Sequence, residues 1–213
     1  SSLQYTCRFF HMQDLITAAL KGQTARYIEI RIEETEGTNL RYRGKDLEEV
    51  GRFSGLGGNV RALAGGGWGF ASFNDLSTLR ENVSTAIAHA QRVGGEKVAL
   101  AEVEPQRDIV LPQGPKDPRD IPLAVKKRTL DQYVEIMLGV PGVQTCALSY
   151  SDGARKTYFA NSEGAYIQQE RVDVNLGMAA MARDGSEVQQ ATESEGSLGD
   201  FTFVESLHQQ AEE

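Results

Sequence analysis

Residues 27–33 alternate strictly. Ile28, Ile30 and Ile32 interleave with Glu29, Arg31 and Glu33, the pattern of a strand with one buried and one wet face. A short helix is expected before it, because Leu15, Ile16, Ala19 and Leu20 fall at helical spacing and Gly22 stands where a C-cap belongs. Weaker alternation follows. Residues 38–43 place Leu40 and Tyr42 around Arg41, Gly44-Lys45-Asp46 supplies a turn, and residues 47–53 return antiparallel. A third pairing strand is read over 59–64, with Gly55-Leu56-Gly57-Gly58 as a bulge or bend before it. The run from Gly65 to Ser77, GGGWGFASFNDLS, then joins this strand to a helix over 76–93. Asn74, Asp75 and Ser77 offer N-caps, and Leu79, Val83, Ala86, Ile87 and Ala90 mark the inward face. Gly94-Gly95 ends the helix.

The pattern then breaks. Residues 96–119 hold Pro105, Pro112, Pro115 and Pro118 and read as a linker, with short extended pieces over 98–103 and 109–111. Pro122 suits the first turn of a helix with apolar positions Leu123, Leu130, Val134, Met137 and Leu138, stopped by Gly139 and Pro141. Residues 143–150 and 155–161 read as a hairpin about Asp152-Gly153, and Asn161-Ser162-Glu163-Gly164 as a second turn. The longest strand pattern covers 172–181, with Val172, Val174, Leu176, Met178 and Ala180 on one face. A turn at Asp184-Gly185, a returning strand over 187–194 and a last helix over 201–211, with Val204, Leu207 and Ala211 inward, complete the reading. The fold class expected is α+β: antiparallel sheets with packed helices in two sub-domains, 12–95 and 120–213, joined by 96–119.

Composition removes some functions. A net charge of −8 without a basic cluster argues against a nucleic-acid partner. No apolar run approaches the roughly 20 residues that span a bilayer, so no membrane partner is expected. Cys7 and Cys146 lie far apart with no CxxC or neighbouring His, and are read as two unpaired thiols in a reducing cytosol. Residues 1–11 lack the build of a secretory signal, and Met12 is taken as the natural start, with those residues an extension or a mis-called start.

Motifs for chemistry are sparse. His11, His89 and His208 belong to no HExxH, HxH or His-carboxylate cluster, and His89 is expected on the solvent side of its helix. The glycines at 65–69 lack the Lys-Ser/Thr pair of a phosphate loop, and the element order is not that of a dinucleotide-binding unit. No Ser/His/Asp arrangement is available. Trp68 and Phe70 carry two readings: anchors of the 76–93 helix on the sheet, or a contact surface for a partner or peptide.

The stretch YIEIRIEETEGTNLRYRGKDLEEVGRFSGLGGNVRALAGGGWGFASFNDLS resembles the first domain of the TldD/PmbA family, once called modulators of DNA gyrase. The likeness lies in the Y-x-E-[IV]-R-x-E strand, Arg43-Gly44, Leu47-Glu48-Glu49-Val50 and the glycine-rich strand into G-W-G-F-A-S. The Ile121-Pro122-Leu123 helix start and the Ala160-Asn161-Ser162-Glu163-Gly164 turn are similar to the family's central domain. The Gly66–Ser72 run is closer to the metal-bearing TldD branch than to the metal-free PmbA (TldE) branch. The resemblance implies a cytoplasmic zinc peptidase, working as a heterodimer with a PmbA/TldE-like subunit on unfolded or leader peptides. The zinc ligands are expected on an H-E-x-x-x-H helix of a C-terminal domain that this sequence does not contain. No catalytic, cofactor-binding or metal residue is therefore assigned here, and Trp68, Phe70 and Asn161 are the candidate packing or interface residues. The role implied is chamber wall and subunit contact, by that subunit or by self-association. The alternative is a stand-alone regulatory module acting on gyrase or a toxin–antitoxin pair.

Overall fold

The computed structural model describes residues 12–96 and 98–212. Residues 12–20 form helix α1. The chain continues through β1 (Tyr27–Arg43), β2 (Asp46–Ala64), β3 (Gly67–Phe73) and α2 (Leu79–Val93). Then follow β4 (Arg107–Val110), α3 (Leu123–Gly139), β5 (Val143–Asn161), β6 (Tyr166–Asp184), β7 (Glu187–Leu198) and α4 (His208–Glu212). The strands hydrogen-bond in the order β3-β2-β1-β5-β6-β4, with β7 on β6. The printed pairings of β2 with β3 and of β6 with β7 are antiparallel, while the short β4 runs parallel to β6. The α+β class expected from the sequence is the one observed.

Two compact units divide the residues. The first takes the segments up to Glu34, Gly55–Val110 and Lys156–Gln169; the second takes Thr35–Ser54, Leu111–Arg155 and Glu170 onward. Each has its own core. In the first, Ile28, Ile30 and Ile32 of β1 and Val60, Ala62 and Ala64 of β2 meet Leu79, Val83, Ala86, Ile87 and Ala90 of α2, with Ile16 and Ala19 of α1. Burying a side chain such as Ile30 contributes about 1.5–3 kcal/mol, so this alternating face and helical stripe supply the main drive for the unit. In the second, Leu130, Tyr133, Val134 and Met137 of α3 pack with Leu148, Tyr150, Val174 and Leu176 of the strands and with Phe201, Val204 and Leu207.

Several expectations are corrected. The separate strands read over 27–33 and 38–43 are one strand, β1, and those over 47–53 and 59–64 are one strand, β2, which runs unbroken through Gly55-Leu56-Gly57-Gly58. Asp152-Gly153 is no hairpin turn: both residues lie inside β5, Asp152 is only 4% exposed, and Gly153 has no positive φ. The local turn preference of Asp-Gly is overridden because the Asp152 carboxylate finds two buried donors in the extended conformation. The helix expected over 201–211 is a turn at Thr202–Glu205 followed by α4. Tyr133 supplies the reason. Its hydroxyl donates to the Val204 carbonyl and accepts from the Leu207 N–H at 3.2 Å, satisfying backbone groups that a continuous helix would pair. Val204, Leu207 and Ala211 are buried as expected.

Trp68 and Phe70 do not anchor α2. The β3 positions turned to that helix are Gly67 and Gly69, where an added Cβ would strike the Ala90 and Ala86 carbonyls. Alternation sends Trp68 and Phe70 to the opposite face. Cys7 and His11 lie outside the described residues.

Candidate functional site

Four strands of the first unit turn a set of polar and aromatic side chains to the sheet face opposite α2. On β1 the residues alternating with the buried isoleucines are Tyr27, Glu29 and Arg31; on β2 the corresponding residue is Arg61, and on β3 Trp68, paired in register with Leu63. Glu29 is buried, only 4% exposed, and three neighbours answer its charge. Its Oε2 accepts from the Tyr27 hydroxyl and from Arg61 Nη2, each at 2.9 Å, and its Oε1 lies 3.5 Å from Arg31 Nε. Each arginine also stacks on an aromatic ring. Arg61 lies 4.6 Å from the centroid of Trp68, and Arg31 5.2 Å from that of Phe159. The outcome is a line across the sheet, Trp68–Arg61–Glu29–Arg31–Phe159, in which one buried carboxylate orients two guanidinium planes. Tyr27 stands edge-on to Trp68 at 6.1 Å. Burial, opposed by the Asn161 hydrogen bond and reinforced by Glu29, pushes the Tyr27 phenol above its usual range.

Asn161 fixes the turn beside this line. Its Oδ1 accepts from the Glu163 and Ala165 N–H groups at 3.1 and 2.9 Å, and its Nδ2 reaches the Tyr27 hydroxyl at 3.5 Å. Ser162 ties the same turn to β1, donating its N–H to the Ile28 carbonyl and accepting the Ile28 N–H on Oγ. Residues 100–106 lie over the sheet here, held where the Gln106 carbonyl accepts from Tyr166 N–H at 2.9 Å. Together these parts line a half-open cavity of about 360 Å³. Its apolar walls are Trp68, Phe159, Ile167, Leu100, Val103 and Pro105, and Arg61, Tyr27 and Asn161 supply polar groups. The Arg61 Nε–H is buried and has no hydrogen-bond partner.

Of the three residues singled out from sequence, the fold brings Trp68 and Asn161 into this one cavity. Phe70 lies outside it, 58% exposed, with its carbonyl 2.9 Å from His89 Nδ1. Tyr27, Glu29, Arg61 and Phe159 were missed, although a signal existed: they occupy the wet-face positions of strands whose other face is apolar.

The second unit holds a different polar group. Lys126, on the inward stripe of α3 with Leu130, Tyr133 and Val134, is 3% exposed, and its Nζ donates to Asp152 Oδ2 at 2.5 Å. Tyr150 donates to the same oxygen at 2.5 Å; burial first, then the Asp152 charge, pushes its phenol far up. Arg119 bridges Asp117 and the buried Glu170. Burial would raise the Asp117 carboxyl, but the hydrogen bonds and charge of Arg119 outweigh it and hold the group below the usual range. Every one of these charges has a partner, so the group ties α3 to the sheet and leaves no free acid or base. Among the described residues, no three or more His, Cys, Asp and Glu side chains gather to hold a metal. His208 instead packs edge-on against Tyr133 at 5.0 Å.

Long antiparallel strands with helices on a sheet and two cores define an α+β chain. The chain belongs to the TldD/PmbA metallopeptidase family, matching its PmbA/TldA metallopeptidase domain 1 over residues 28–90 and its central domain over residues 116–213. A metalloprotease of Synechocystis sp. is 37% identical over 187 residues, covering 87% of this chain and 40% of that protein. A metalloprotease of Methanothermobacter thermautotrophicus is 32% identical over 181 residues, covering 84% and 39%. Among solved structures, a Thermotoga maritima protein described as a modulator of DNA gyrase superposes with a TM-score of 0.73 at 17% identity, covering 96% of this chain and 47% of that one. TldE from Thermococcus kodakarensis gives 0.69 at 17% identity, covering 94% and 46%. The chain thus spans about 40% of the length of the curated relatives. The described residues offer no group of side chains fit to hold a catalytic metal.

Proposed function

We propose that this chain is the non-catalytic first and central part of a TldD-type zinc peptidase acting on unfolded or leader peptides, forming chamber wall and subunit contact in the cytoplasm. The observation that carries the reading is the succession of the two family domains over 28–90 and 116–213, in a chain spanning about 40% of relatives named metalloproteases. The proline-rich residues 96–119 are the connection between the two domains in this reading. Zinc and the activation of its water belong to a part of such enzymes that these domains do not supply. The buried carboxylates Asp152 and Glu170 are paired with Lys126 and Arg119.

The partner in this reading is a PmbA/TldE-like subunit, or a second copy of the chain. The test is reconstitution. The chain alone should bind no stoichiometric zinc and cleave no unfolded peptide, and it should co-elute with a TldE-type subunit on gel filtration. Tight zinc with hydrolysis by this chain alone, or no association with either a TldE-type subunit or itself, overturns the proposal.

A further inference from the structure

The cavity under residues 100–106 has the features of a ligand site that the scaffold role leaves unused. Its volume of about 360 Å³ stands at the low end of the range for small-ligand pockets, about 300–1,000 Å³, which suits one large side chain. Its walls are apolar and aromatic. The unanswered group is a donor, the Nε–H of Arg61, which is buried and unpaired and which a turn of the guanidinium would present to an acceptor oxygen of a ligand. The charges around it cancel and give an anion no net attraction. Arg61 and Arg31 already share Glu29, Arg26 pairs with Glu163 at 3.4 Å, and Glu104 adds a further carboxylate to the lining. A phosphate or carboxylate entering here would meet two carboxylates and no free cation among these residues.

We propose that this cavity is a subsite for an aromatic side chain of an extended peptide, with Trp68 and Phe159 packing the ring and the Arg61 Nε–H donating to a main-chain carbonyl. Unfolded chains present this combination of an exposed aromatic residue and an unpaired carbonyl, and folded ones bury it. The inference deepens the peptidase reading and rests on it for the origin of the peptide, placing capture of the peptide on the first domain.

Trp68 is the only tryptophan of the chain, so its emission reports directly on the cavity. The probes are two acetylated, amidated peptides, Gly-Ser-Gly-Phe-Gly-Ser-Gly and the same sequence with Ala for Phe, titrated into the full chain. The Phe peptide should give a saturable change, and the Ala peptide should bind weaker by on the order of tenfold or more. Ala101→Phe adds a ring to the lining from the exposed strap without altering any residue of the sheet and should abolish the response. Arg61→Lys keeps the charge beside Glu29 but removes the Nε–H, and should weaken binding on the order of tenfold. Phe70→Ser, outside the cavity, should bind as the parent does. No saturable response, equal binding of both peptides, or unchanged binding by Ala101→Phe overturns the proposal. Because the readout is binding without hydrolysis, a negative result alongside successful reconstitution removes the subsite and leaves the peptidase reading standing.

Discussion

Lys126 shows how much one side chain decides in the second unit. It occupies an inward helical position four residues before Leu130, where an apolar residue is expected, and its Nζ is the cation paired with Asp152 inside β5. Removing one member of such a pair leaves an uncompensated buried charge, which costs about 3–5 kcal/mol, whereas replacing both by apolar groups is often close to neutral. Lys126→Met should therefore lower the urea-unfolding free energy by about 3–5 kcal/mol, and Lys126→Met combined with Asp152→Leu should recover most of that loss. Equal losses in the single and double variants would show that Lys126 acts through its packing and not through its charge. Glu29 has the same logic in the first unit, with two arginines and a tyrosine in place of one lysine.

At the scale of elements, the contact between β3 and α2 is backbone against backbone. Gly69 admits it: a Cβ there would strike the Ala86 carbonyl and the Ala90 amide, so the helix could keep its place only by moving away. Gly69→Ala should destabilise the chain by about 1–3 kcal/mol in chemical denaturation, the range for overpacking a core, although Ala is the better strand and helix former of the two. A neutral or stabilising result would mean that α2 has room to slide on β3. The run from Gly65 to Ser77, expected from the sequence to join a strand to a helix, instead makes a turn at Gly65-Gly66 and then the whole of β3, which pairs back on β2, and the use of its glycines was not legible. The eye goes to the tryptophan, while the packing depends on the side chains that Gly67 and Gly69 lack. The same asymmetry holds elsewhere. Alternation along 27–33 and 172–181 revealed the buried faces of β1 and β6, and the stripe from Leu79 to Ala90 revealed α2, because burial imposes a period on the sequence. Strand continuity through Gly55–Gly58 and through Asp152-Gly153 was not legible, since glycine and Asp-Gly signal turns locally, and at Asp152 it is Lys126, 26 residues away, together with the neighbouring Tyr150 that pairs the carboxylate in the extended chain. The cavity residues share a face through β1, β2, β3 and β5, and no spacing along a single strand reveals that meeting.

For the molecule as a whole, tyrosine ionisation offers a measure of folding that samples both units. Burial lifts the phenols of Tyr27 and Tyr166 in the first unit and of Tyr42, Tyr133 and Tyr150 in the second, with Asp131 and Asp152 adding to the rise at Tyr42 and Tyr150. A phenol whose folded pKa lies above its unfolded value of about 10 keeps its proton longer in the native state. Its contribution to stability is complete below pH about 10 and is lost as the pH climbs past that value, because the unfolded chain then releases protons that the folded chain retains. Stability should accordingly fall along the alkaline limb, and the phenolate absorbance of these five tyrosines should appear only as the far-ultraviolet circular dichroism is lost. Tyr150→Phe removes the most strongly lifted of these protons together with one donor to Asp152. It should lower stability at neutral pH and make the alkaline decline shallower. Smooth phenolate titration centred near pH 10 with the circular dichroism unchanged would show that these hydroxyls are open to solvent, and would contradict the buried network on which the second core is built.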